Sequence, residues 1–96
     1  QPLPFDRLLP QLIAETLDAR FRPYIALFLE LASQAARGDI AARETGRQIA
    51  EGFLAWGEAR LDTGDPVRRR HEARRLLTRI EGMALLAALG VEGAPD

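Results

Sequence analysis

The side chains of this 96-residue chain that could do covalent chemistry are few: one histidine, one serine, one tyrosine and no cysteine. Catalysis needs a nucleophile or proton carrier held by a partner within hydrogen-bonding reach. His71 follows Arg68, Arg69 and Arg70 and precedes Glu72, with no second histidine to build a metal site, so a solvated surface histidine is expected. Ser33 lies in an apolar helical run without a base at suitable spacing, and its hydroxyl is expected on a backbone carbonyl one turn back. Glu15, Glu30, Glu44 and Glu58 offer carboxylates, but none has a histidine three residues on, the pairing that builds di-metal sites in helical bundles. The expectation is a protein that is not an enzyme, with no catalytic residue, metal or cofactor.

Two charged features remain. Glu30 interrupts the most apolar helical stretch, where a lone carboxylate would be costly to bury. It either pairs with Arg22, Arg60 or another arginine, sits at the solvent edge, or faces a ligand in a cavity. Arg68, Arg69, Arg70, Arg74, Arg75 and Arg79 form the single basic patch, in a chain of net charge −1. No aromatics interleave with them and Glu72 breaks the run, so a solvated half-helix is expected rather than a nucleic-acid surface. All thirteen basic residues are arginine, alongside sixteen alanines and fifteen leucines, which points to a GC-rich bacterial gene and to helix. With no apolar run near the ~20 residues of a membrane span, no membrane association is expected and the cytoplasm is the default location.

The elements that must position these groups are helices. Valine and isoleucine total seven and no stretch alternates apolar with polar, so the chain reads as one all-α domain over residues 1–96. A first helix starts at Asp6 as N-cap, carries Leu9, Leu12, Ile13, Thr16 and Leu17 on one stripe, and stops before Pro23. Pro10 is expected in its first turn or so. The second runs from Pro23 to Ala36 with almost no polar face and must be covered on most sides. Gly38 and Asp39 predict a left-handed cap followed by an N-cap, a tight hairpin into a third helix over about 40 to 62. Thr63, Gly64, Asp65 and Pro66 supply a C-terminal glycine, an N-cap and a first-turn proline. A fourth helix over about 66 to 89 stops at Gly90 and leaves a fraying tail.

The fourth helix changes character midway. Ala73, Leu76, Leu77 and Ile80 make a narrow stripe, whereas residues 82–89 are apolar all round. Four helices of this length can rarely bury such a segment on every side, so its outer face is expected against a second copy of the chain. A homodimer through the last two helices follows. Its candidate contacts are Ile49 and Gly57 on the third helix and Leu76, Ile80, Gly82, Met83, Ala84 and Ala87 on the fourth, the small residues permitting close approach.

Three stretches carry a resemblance: FRPYIALFLELASQAARG at 21–38, GFLAWGEARL at 52–61 and ARRLLTRIEGMALLAALG at 73–90, the last with Glu81-Gly82 inside a leucine-rich terminal helix. Together they resemble the C-terminal regulatory domain of TetR-family transcriptional regulators over nearly the whole chain. The resemblance implies four main helices whose last two pair with those of a second subunit as an intermolecular four-helix bundle. It also implies a small apolar or aromatic effector bound among the helices, shifting DNA binding by an N-terminal helix-turn-helix. No residue here matches that DNA-reading half, which is expected upstream of Gln1. Ligand residues are not fixed across the family. The candidates are Phe21, Tyr24, Phe28, Phe53 and Trp56 as bulky groups, with Tyr24 and Glu30 as polar contacts. The alternative is a stand-alone helical homodimeric interaction module with no ligand.

Overall fold

The computed structural model describes residues 1–91 and is all-α, with four helices among the described residues: α1 (Phe5–Thr16), α2 (Arg22–Ala36), α3 (Ile40–Arg60) and α4 (Pro66–Ala88), plus a 3₁₀ turn at Ala19–Phe21. The tail expected to fray lies, from 92 onward, outside the described residues.

The hairpin between α2 and α3 forms as its sequence dictates. Gly38 takes φ +100°, which a side chain rarely adopts, and the Asp39 carboxylate accepts from the Ala42 N–H at 3.0 Å. Gly90 takes φ +76° at the other left-handed turn, where the Val91 N–H returns to the Leu86 carbonyl at 2.9 Å. Between α3 and α4 the chain departs from expectation. α3 stops at Arg60 because Leu61 turns extended and pairs with Leu3, whose N–H donates to the Arg60 carbonyl at 2.9 Å and whose carbonyl accepts from Asp62 at 2.8 Å. Gly64 therefore caps nothing, while Asp65 caps α4 by accepting from the Val67 N–H.

α1 corrects three expectations. Its N-cap is Pro4, not Asp6, which sits in the first turn where a carboxylate favours the helix dipole. Pro10 lies in the helix interior, with its ring exposed. The helix ends at Thr16, well before Pro23, because Asp18 accepts from the Arg20 N–H and starts the 3₁₀ turn. That bond first, and then the Arg20 guanidinium, hold the Asp18 carboxyl below its ordinary value.

The core lies between α1 and α4. Phe5, Leu8, Leu9, Leu12 and Ile13 fall at i, i+3, i+4, i+7 and i+8, one helical face, and meet Ala73, Leu76 and Ile80 with Leu61 closing the end. The buried stripe thus begins a turn earlier than read from the sequence, and Leu17 is exposed. α3 approaches α4 closely at Gly57, where an added Cβ would stand 3.7 Å from that of Ala73. α2 corrects the largest expectation: none of its residues is buried, because α3 covers it on one side and the rest faces outward, with Tyr24 68% and Leu27 53% exposed.

Candidate functional site

A cavity of about 350 Å³ opens where α2 leans away from α1 and α4. Leu12 and Ile80, both almost fully buried, form its floor, and Phe28, Ile25, Ala50 and Leu77 its sides. Its rim carries two aromatic pairs on facing elements. Phe21 and Tyr24, from the 3₁₀ turn and the start of α2, have ring centroids 6.3 Å apart; Phe53 and Trp56 on α3 stand at 5.6 Å. Both pairs are tilted, an attractive arrangement for aromatic quadrupoles. Phe53 and Trp56 are three residues apart, as are Tyr24 and Phe21, which places each pair on one helical face. The Arg60 guanidinium lies 4.8 Å from the Trp56 ring centre and holds that ring from one side.

Five of the six ligand candidates, Phe21, Tyr24, Phe28, Phe53 and Trp56, line this one cavity. Glu30 does not. It is exposed on α2, accepts from the Gln34 side chain at 3.0 Å and makes no ion pair among the described residues, so the solvent-edge alternative is the one that holds. The polar groups of the cavity are Glu15, Thr16, Tyr24 and Glu81, with no arginine or histidine among its lining residues. Glu81 is the notable one. Its Oε1 is enclosed, with no hydrogen-bond partner, and burial pushes its carboxyl above the ordinary value. Sequence reasoning missed its place in the cavity. The available signal was that Glu81 is the sole acid between 73 and 91 and follows Ile80 on the edge of the buried stripe.

The dimer candidates divide by burial. Gly57, Leu76, Ile80 and Ala84 lie in this chain's own interior, and Met83 packs against the core. Leu76 and Ile80 are almost fully buried within one chain, which removes them as contacts for a second copy; they belong to the α1–α4 core. Ile49 is exposed at the cavity rim, and Gly82 and Ala87 are exposed on α4. An added Cβ at Gly82 would meet nothing within 4 Å. With Leu85, Leu86 and Leu89 it makes an i, i+3, i+4, i+7 stripe of exposed apolar surface, opposite the face that α4 turns to the core.

The arginine half of α4 is largely engaged within the chain. Arg68 pairs with the buried Glu72 at 3.2 Å and Arg70 with Glu58 at 3.6 Å. Arg69 donates to the carbonyls of Thr63 and Gly64, and the Arg75 guanidinium stacks 4.2 Å from the Phe5 ring centre. His71 is exposed. Ser33 Oγ accepts from Arg37 rather than bonding a carbonyl; it is Thr78 that donates one turn back, to Arg74. Among the described residues no three histidine, aspartate or glutamate side chains converge as metal ligands, and no helix is long and apolar enough to cross a membrane. No family model matches the chain, and neither does any curated protein or solved structure.

Proposed function

We propose that this chain senses a small molecule and dimerises as the regulatory part of a TetR-like bacterial, cytoplasmic transcriptional regulator, the effector altering DNA binding by an N-terminal helix-turn-helix. The observation that carries the reading is the cavity. A concave, mostly apolar space of about 350 Å³ with a few convergent polar groups is of ligand-binding size, and four of its aromatic walls come from α2 and α3, the least tightly covered helices. An occupant would draw α2 toward α1 and α4, so binding would favour one arrangement of the helices by its differential affinity for it. The stripe of Gly82, Leu85, Leu86 and Leu89 supports the homodimer, since it is open apolar surface on the last helix.

Trp56 is the single tryptophan and stands at the cavity rim. Titration of a panel of small aromatic compounds should therefore give saturable changes in its fluorescence; a panel without any saturable response overturns the sensor. Light scattering at micromolar concentration should show two chains. Gly82→Leu should weaken association without unfolding the chain, because its position is open within one protomer. A monomer at these concentrations removes the dimer.

A further inference from the structure

The cavity's charge pattern specifies the chemistry of its occupant, an inference that rests on the cavity being a ligand site. Buried carboxylate oxygens in folded proteins are hydrogen-bonded, and one left alone in an apolar wall is destabilising unless a donor completes it. Glu81 Oε1 is the buried side-chain polar atom among the described residues that has no partner. The other charged lining group is Glu15, also an acid, and among the described residues no arginine or histidine lines the cavity. The Arg60 guanidinium lies against Trp56. An anionic occupant would face two carboxylates without a counter-charge, whereas a neutral hydrocarbon would supply neither carboxylate with one. Four aromatic rings on the rim offer apolar surface, and two of them already hold a cation, Arg20 at 6.0 Å from the Phe21 ring centre and Arg60 at 4.8 Å from that of Trp56. At about 30 Å³ for each water-sized group, 350 Å³ holds about a dozen non-hydrogen atoms.

We infer that the site takes an amphipathic monocation, an aromatic or aliphatic body of about a dozen non-hydrogen atoms bearing one protonated amine that pairs with the Glu81 carboxylate while the body packs among Phe21, Tyr24, Phe53 and Trp56. Glu15, at the end of α1, adds a second negative charge for the ammonium group. Burial raises the Glu81 carboxyl above its ordinary value, and a cation beside it would lower it again by favouring the ionised form.

Three probes of equal length test this on the whole 96-residue chain at neutral pH: 4-phenylbutylamine, 4-phenylbutan-1-ol and 4-phenylbutanoate, followed by Trp56 fluorescence and calorimetry. The amine should bind about tenfold or more tightly than the alcohol, as a charge-assisted bond in a desolvated site does, and the carboxylate should bind weakest. Glu81→Gln, similar in size and shape, should erase the amine's advantage while leaving alcohol binding in place; Glu15→Gln should reduce it less, and Glu44→Gln, on the exposed side of α3, should not alter it. An alcohol that binds as tightly as the amine, or an amine preference that survives Glu81→Gln, overturns the cation while the cavity stands as a binding site. If none of the three binds saturably, the ligand site itself fails and the inference with it. The carbon-13 titration of the Glu81 carboxyl keeps the question answerable on the unaltered chain: its midpoint should fall when the amine is present at saturation, and an unmoved midpoint overturns the ion pair.

Discussion

α1 and α2 are both apolar helices of similar length, yet α1 buries five side chains and α2 none. α2 is the more apolar of the two, so composition does not explain the difference. α1 separates its residues by face, with Asp6, Arg7 and Gln11 outside, Glu15 at the cavity mouth, and Phe5, Leu8, Leu9, Leu12 and Ile13 inside against α4. α2 spreads apolar residues around its circumference and has one main neighbour, α3, leaving the remainder to line cavities and face outward. The lesson is that burial needs a neighbour as well as an apolar side chain. Rigidity collects in the α1–α4 pair and room for a ligand beside α2.

The largest break between the two regions should come from truncation. Leu76→Ala, at a fully buried position, should cost about 2–5 kcal/mol in urea unfolding, and Leu27→Ala, half exposed on α2, about 0.5 kcal/mol or less. Equal losses would put α2 in the core and end the contrast. Hydrogen exchange should sharpen it, with α2 amides opening locally and those of α4 near Leu76 opening only on global unfolding.

Gly57 tests the α3–α4 contact next. Leucine there should overpack against Ala73 and Leu76 and cost about 1–3 kcal/mol. Alanine, whose methyl would stand in ordinary contact, should fit and gain up to about 1 kcal/mol of helix propensity by thermal melt. The α2–α3 hairpin should respond more mildly, Asp39→Ala costing about 1 kcal/mol through the lost cap on Ala42.

The smallest effect belongs to Glu81. Its folded carboxyl lies above the unfolded value of 4.5, so the folded chain holds that proton more tightly. The stabilisation is full below the unfolded value and disappears as pH rises through the folded one. Glu81→Gln should flatten this part of the dependence of Tm on pH and leave the empty protein slightly more stable near neutrality; a steeper slope in the variant would reverse the assignment.

Most of the architecture was legible in the chain because it rests on local chemistry. Gly38-Asp39 dictates a hairpin, since glycine takes the left-handed turn without a Cβ penalty and aspartate caps the next helix. Asp65-Pro66 starts α4 for similar reasons, and the 3.6-residue period puts Leu76 and Ile80 on one face. The aromatic candidates were readable too, as bulky groups three and four residues apart on adjacent helices. One misreading needed a distant partner, and the other two turned on side-chain bonds within a turn of helix. Leu3 pulls Leu61 into a bridge and ends α3 early, Asp18 closes α1 ahead of Pro23, and Gln34 takes Glu30 out to the solvent edge.

Helix type, number and order were thus determined by the sequence itself, since capping, periodicity and propensity act within a few residues. Which apolar face meets another was decided only in three dimensions: α4 spends one face on α1 and α3 and leaves Gly82, Leu85, Leu86 and Leu89 open, and α2 stands off far enough to make the cavity. The orphaned oxygen of Glu81 belongs to the same class of fact. A glutamate in a sequence is an exposed acid by default, and only tertiary packing closes off one of its oxygens without supplying a partner.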